Sequence, residues 1–369
     1  MGATLFGNTL EDLTRNGMPA LENLHLLGGL LFNDDIYRFF DHAIPPEDAR
    51  TPVAALLAQS HLLRLVHLAS EHLEGFLSLK LNWPSLTELH SVSPLTWNDP
   101  GVIIPRISML CPSLTVLRLE VSFERSADRA PITTASLPGL KTLDLSVTRI
   151  EGTYSVLHDS LRLVFQRLEV PRLTHFCLVV DMNRYMERDT AATMPFHDLF
   201  LRCGSSLTHL TLGSDFLWGD LQRFQRSLEL LPFLLSLHVK GRRDAYAGSE
   251  VVYWSDAKPL LRLLATEPIP CPLLEELILD GCGADHVDAI IAFASARPRL
   301  KALSVKFGAI DDKPGLQIMK SDHVLATLRD LGEVKGVRVD WIWREGPMAG
   351  MVFDHPYAGL DGRLVEWYV

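Results

Sequence analysis

The 369-residue chain has no apolar run near the ~20 residues of a membrane-crossing helix, so no helical span is expected. Its first residues, MGATLFGNTLEDL, have neither the basic n-region nor the apolar h-region of a secretory leader. Gly2 follows Met1, but Phe6 stands where the myristoylation pattern has Ser or Thr. Cysteine is scarce. Cys111, Cys177, Cys203, Cys271 and Cys282 are odd in number and widely spread, with no Cys-x-x-Cys pair. This argues against a disulfide frame and a closed zinc site, and it predicts buried free thiols in a cytoplasmic or nuclear setting. No Lys/Arg block is present, and 35 basic against 45 acidic residues give a net charge of -10. Phosphate neutralisation supplies most nucleic-acid affinity, so no nucleic-acid partner is expected. The short cluster Lys240-Gly241-Arg242-Arg243 reads as a solvated loop. Phosphate loops, Gly-x-Gly-x-x-Gly and Gly-x-Ser-x-Gly are all missing.

What the chain has is repetition, which is the first feature to seek in a chain of this length. A phrase Pro-x-Leu-x-x-Leu-x-Leu, with some substitutions, begins at Pro19, Pro112, Pro138, Pro171, Pro232, Pro272 and Pro298. Ser206, Leu207, Leu210 and Leu212 repeat it without the proline, and weaker copies start at Leu63, Leu86 and Val334. First leucines from Leu86 to Leu300 are 28, 26, 33, 34, 27, 40 and 26 residues apart. Those intervals lie near and above the upper end of the ~20–29-residue leucine-rich period.

Leucines two apart point to the same side of a short strand, and successive strands can stack in parallel and bury that side. Parallel strands need crossovers of about a dozen residues, usually helical. Helical spacing is found in Val156–Leu168, Leu221–Leu231, Val287–Ala294 and His323–Leu331. Proline before each phrase would end the helix. The expected fold is therefore α/β: a leucine-rich-repeat solenoid, or horseshoe, with parallel strands on the concave face and helices on the convex face. Residues 1–330 read as an array of about ten irregular repeats, and 331–369 as the last strand and an aromatic cap containing Trp341, Trp343, Phe353, Tyr357, Trp367 and Tyr368. Three positions after the last leucine, the column Gly29, Ser122, Thr148, Asp181, Asp215, Arg242, Cys282 and Gly308 is no asparagine ladder. A curved but uneven horseshoe follows.

Aligning the copies puts His25, His90, Arg118, Asp144, Cys177, Thr211, His238, Ile278, Ser304 and Arg338 in one central concave column. His175 and His209 share a flanking column on adjacent strands ~4.8 Å apart, so their rings can meet. His238 falls in the neighbouring column of the next repeat. Three nearby histidines suit a metal or a pH-sensitive patch, but polar residues also simply fill a solvated face, and no metal, cofactor or catalytic residue is assigned. His67, Glu71 and His72 resemble a metalloprotease helix, but the spacing is wrong by one residue. The residues expected to touch a protein partner are His90, Arg118, Asp144, His175, His209, Thr211, His238 and Glu276. Loop aromatics Trp97, Trp218, Tyr246, Tyr253 and Trp254 are candidate anchors or repeat-edge caps.

The phrase, its irregular spacers and its Trp-containing loops resemble the C-terminal halves of fungal F-box/leucine-rich-repeat proteins, over about Pro19 to Val339. The resemblance implies a non-enzymatic scaffold, the substrate-holding part of a Skp–cullin–F-box ubiquitin-ligase receptor. Its F-box should open near Leu-Pro-x-Glu. The nearest match, Ile44-Pro45-Pro46-Glu47-Asp48, is followed by Pro52, which interrupts the helix required there. A Skp-type adaptor is expected only where an F-box lies upstream. The alternative is a regulatory leucine-rich-repeat protein outside the ubiquitin system, such as a GTPase regulator.

Overall fold

A computed structural model of the chain describes residues 22–27, 62–69, 73, 77, 81–91, 100–123, 133–150, 154–180, 194–217, 221–243, 252–253, 257–282, 286–307 and 338–343. The end of each described leucine phrase is a strand, and four two-residue strands lie between phrases. In chain order these are β1 (Asn23–Leu27), β2 (Leu65–Ala69), β3 (Glu88–Ser91), β4 (Val116–Phe123), β5 (Ala135–Ser136), β6 (Thr142–Ile150), β7 (Leu168–Glu169) and β8 (His175–Val180). Then come β9 (His209–Gly213), β10 (Ser236–Lys240), β11 (Arg242–Arg243), β12 (Val252–Tyr253), β13 (Glu276–Cys282), β14 (Ala302–Phe307) and β15 (Arg338–Trp343). Eleven of them form one open sheet in the order β1-β2-β3-β4-β6-β8-β9-β10-β13-β14-β15. Every neighbouring pair in that sheet is parallel. The short β5 and β7 pair in parallel, and β11 pairs antiparallel with β12.

Parallel neighbours joined in sequence order require crossovers, and helices supply them. These are α1 (Pro100–Leu110), α2 (Tyr154–Arg167), α3 (His197–Cys203), α4 (Leu221–Leu228), α5 (Ala257–Ala265) and α6 (Val287–Ala296). The expected helices over 156–168, 221–231 and 287–294 correspond to α2, α4 and α6. The expected helix His323–Leu331 lies outside the described residues, as do Ile44–Asp48, Pro52, Trp97, Trp218, Tyr246, Trp254 and the aromatic tail from Phe353. Among the described residues no helix is long and apolar enough to cross a membrane.

One core fills the space between the sheet and the helices. Alternation decides which strand residues enter it, as in the β8 sequence HFCLVV, where Phe176, Leu178 and Val180 are buried. Leu89, Leu117, Leu143, Leu210, Leu237, Leu277 and Leu303 line up with Phe176 in one inner row. Each buried leucine stabilises the fold by about 2 kcal/mol. Ile103 and Ile107 of α1, Leu161 and Phe165 of α2, Phe224 of α4, Leu260 of α5 and Ile290 of α6 close over the rows. Where β8 has Phe176 in place of leucine, Phe165, Phe196 and Phe200 gather round it at 5.5–6.4 Å between centroids.

The proline of the phrase stands in a tight turn. The residue before it is buried, and its carbonyl accepts the N–H of the first leucine three residues on. Leu114 N–H donates to Cys111 O at 3.2 Å, Leu140 to Leu137 at 3.1 Å, Leu173 to Val170 at 3.1 Å and Leu274 to Cys271 at 3.1 Å. Proline's fixed φ suits the second place of such a turn, where no N–H is needed. At the next bend, one carbonyl accepts two N–H groups from the following repeat: Thr115 and Val116 both donate to Thr87 O, and Thr208 and His209 both donate to Thr174 O. The hydroxyls of Thr87, Thr115, Thr174 and Thr208 donate to carbonyls of the same set at 3.0–3.2 Å, a threonine ladder that steps from repeat to repeat across the strands.

The last phrase corrects the alignment made from sequence. Val339 pairs with Leu303, Arg338 with Ala302 and Asp340 with Ser304, so Asp340 rather than Arg338 occupies the central register position of β15. The shift is two residues. Strand side chains have period two, so Val337, Val339 and Trp341 give the same alternation in either register, and apolar pattern alone cannot choose.

Candidate functional site

The face of the sheet turned away from the helices carries three rows of side chains, one from every second strand position. The first runs Glu88, Val116, Thr142, His175, His209, Ser236 and Glu276. The central row runs His67, His90, Arg118, Asp144, Cys177, Thr211, His238, Ile278 and Ser304. The third holds Glu120, Ser146, Val179 and Gly213, followed by Lys240, Asp280 and the Lys306 position of β14. The strand register thus puts His90, Arg118, Asp144, Thr211 and His238 in one row and His175, His209 and Glu276 in another. All eight expected contact residues lie on this one face, but they span β3 to β13 and do not converge on a point.

Three local groupings stand out. His175 and His209 stack with centroids 4.1 Å apart and planes 9° from parallel. Each ring is held by the preceding threonine: Thr174 Oγ1 is 2.9 Å from His175 Nδ1, and Thr208 Oγ1 is 2.9 Å from His209 Nδ1. Both hydroxyls already donate to ladder carbonyls, so they accept from Nδ1–H. In the neutral rings the free lone pair is then on Nε2, in both cases. Partial burial, and after it the His209 ring alongside, lower the His175 pKa below its ordinary 6.5. Parallel rings at this separation aim their lone pairs side by side, so one ion cannot lie in line with both. Among the described residues no group of three or more His, Cys, Asp or Glu side chains could hold a metal.

His238 is on the next strand but in the central row, opposite Thr211, and its Nε2 lies 3.2 Å from Asp280 Oδ2. His90 lies 5.8 Å from His67 in an edge-on arrangement and 3.8 Å, Nε2 to Oε2, from Glu88. Alignment by sequence left His67 out of the central column. The signal was available, since His67 precedes Leu68 as His90 precedes Ser91 in equivalent copies. Ser236 donates to Glu276 at 2.7 Å, which ties that carboxylate to the neighbouring strand.

The cysteines offer no nucleophile. All five are free; Cys111, Cys203, Cys271 and Cys282 are buried. Burial pushes the thiols of Cys111, Cys203 and Cys271 up to about 12. Cys177 reaches the open face, but burial and then Asp144 beside it raise its pKa well above 9.0. A thiol in that state is a weak nucleophile near neutral pH. No family model matches the chain, and no curated protein matches it.

Proposed function

We propose that the chain is a leucine-rich-repeat solenoid, curved so that its open sheet face is concave, and that this face holds another protein. One observation carries the reading: a parallel sheet built from successive copies of one phrase presents rows of mixed polar side chains drawn from strand after strand. Recognition can be distributed over such a face, whereas general acid–base chemistry needs groups within hydrogen-bond reach of one reacting atom. The resemblance to fungal F-box/leucine-rich-repeat receptors supports a partner destined for ubiquitylation, with a Skp-type adaptor engaged only where an F-box lies upstream of the repeats.

The test is capture from cell extract by the wild-type chain and by an Arg118→Glu/His209→Glu/Glu276→Lys variant, after circular dichroism has shown the same fold for both. A set of proteins retained by the wild type and lost by the variant is expected. Identical sets would refute the open face as the binding surface. A form extended upstream should additionally bring a Skp adaptor and a cullin; their absence would sink the ubiquitin-ligase part alone.

A further inference from the structure

The open face is poor in permanent positive charge and rich in histidine. Among the described residues of β2 to β13, its three rows hold only Arg118 and Lys240 as permanent cations, although the chain has 35 Lys and Arg residues; beyond those strands the register adds His25 on β1, Lys306 on β14, and Arg338 with Asp340 on β15. The same rows hold His67, His90, His175, His209 and His238, five of the chain's 14 histidines. Five carboxylates face the same way: Glu88, Glu120, Asp144, Glu276 and Asp280. The margin of the face, where the chain bends into the strands, adds Glu22, Glu275, Arg64, Lys141 and Lys301, with Lys301 bonded to Glu275 at 2.7 Å. With imidazoles neutral the carboxylates outnumber the permanent cations. With imidazoles protonated the balance reverses. Histidine is the side chain whose ordinary pKa puts that reversal between pH 5 and 8.

We infer that the open face is an acid-strengthened docking surface for an acidic segment of a partner protein, gaining affinity as its five histidines take up protons. The inference deepens the protein-holding reading and rests on it. Charge complementarity selects the occupant: an acidic segment meets repulsion from a net-negative face and attraction from a net-positive one. The neighbours of each histidine set how that charge is delivered. His90 has Glu88 on its own strand, with His67 and Arg118 on the strands to either side. His238 has Asp280 at 3.2 Å, Lys240 on its own strand and Thr211 opposite. The stacked pair is flanked by Thr142 and Asp144 from β6 and by Ser236, His238 and Lys240 from β10, with Cys177 on β8 itself. Two imidazolium rings 4.1 Å apart repel, so an anionic group accepting from both Nε2–H donors screens the pair and is itself held. Thr174 and Thr208 hold the Nδ1 side of each ring, which leaves the two Nε2 donors for a ligand.

The measurement is fluorescence anisotropy of a labelled oligoglutamate peptide with the purified chain, at about pH 7.5 and about pH 5.5 in low salt. Binding is expected to strengthen at least about tenfold at the lower pH, and a labelled oligolysine peptide should change in the opposite sense. His175→Gln/His209→Gln and His67→Gln/His90→Gln, each with a wild-type circular dichroism spectrum at both pH values, should each remove a large share of that gain. Equal affinity at the two pH values, a full gain in both double variants, or loss of the folded spectrum at the lower pH overturns the inference. Capture of a cell protein at neutral pH with no acid gain would leave the protein-holding reading intact and remove this one alone.

Discussion

Arg297 occupies the buried place before Pro298 that apolar residues take in other copies, Leu137, Val170 and Leu231 among them. A guanidinium in a core is costly unless its donors are met. Here they are: Nε donates to Leu264 O at 2.9 Å, Nη1 to Cys271 O at 2.7 Å and Nη2 to Pro270 O at 2.7 Å. The ring of Phe293 lies 5.7 Å from the guanidinium carbon. Leu264 is in the last turn of α5, whose terminal carbonyls have no partner within the helix, and a cation is favoured at that end. Burial lowers the Arg297 pKa, and the three bonds offset that desolvation. Replacing it with methionine keeps much of the volume and removes all three donors. Arg297→Met should therefore cost about 2–4 kcal/mol, seen as a lower urea midpoint. Arg297→Lys should fall between, since one ammonium cannot span three carbonyls. A methionine variant as stable as wild type would show that the apolar places of the other copies, and not the bonds, define this position. Nothing in the sequence marks Arg297 as internal, because Arg before proline reads as an exposed turn residue.

At the scale of elements, the phrase made strands easy to read and helices less so. Alternating leucines specify which face is buried, and the rows of β3 to β14 follow the alignment made from sequence. The rings of His175 and His209 meet because adjacent phrases place them opposite each other. Three helices were not anticipated. Pro105 lies inside α1 and lacks the N–H of a regular turn, α3 has only seven residues, and α5 carries Pro259 in its first turn. Those helices hold by packing, through Ile103, Phe200 and Leu260, more than by propensity. The threonine ladder was in plain view but needed the bend geometry to give it a meaning. Gly204 is similar. It directly precedes Ser205, which stands where other copies have proline, and α3 ends so close to the turn after α4 that a Cβ there would collide with Leu230 O of that turn and Phe200 O of α3 itself. Both are backbone atoms, so no side-chain rotation relieves the clash. Gly204→Ala should destabilise by about 2 kcal/mol or more and lower the melting temperature, despite alanine's better helix propensity. An unchanged melting temperature would mean that α3 can move off the neighbouring turn at no cost.

At the scale of the whole molecule, strand order equals chain order, so each repeat is held almost entirely by the two beside it. In the solenoid proposed above, stability is close to a sum of local terms and nearest-neighbour interfaces, unlike a globular core in which one defect is felt throughout. A cavity in the inner row tests this directly. Leu210 is buried in β9, paired with Phe176 on one side and Leu237 on the other. Leu210→Ala should cost about 2–5 kcal/mol locally. Hydrogen exchange should then accelerate most in β8, β9 and β10, less in β6 and β13, and least in β3, which is separated from β9 by three strands of the sheet. Uniform acceleration across the sheet would mean that the array unfolds as one cooperative unit. The graded outcome has a consequence for binding. If repeats loosen independently, the partner proposed for the open face must tie several of them together, and its proposed contacts at His90 and at Glu276 become coupled through the partner more than through the protein. Protection in the bound state would then rise across the whole span between β3 and β13, with the largest gain in whichever repeat is weakest alone.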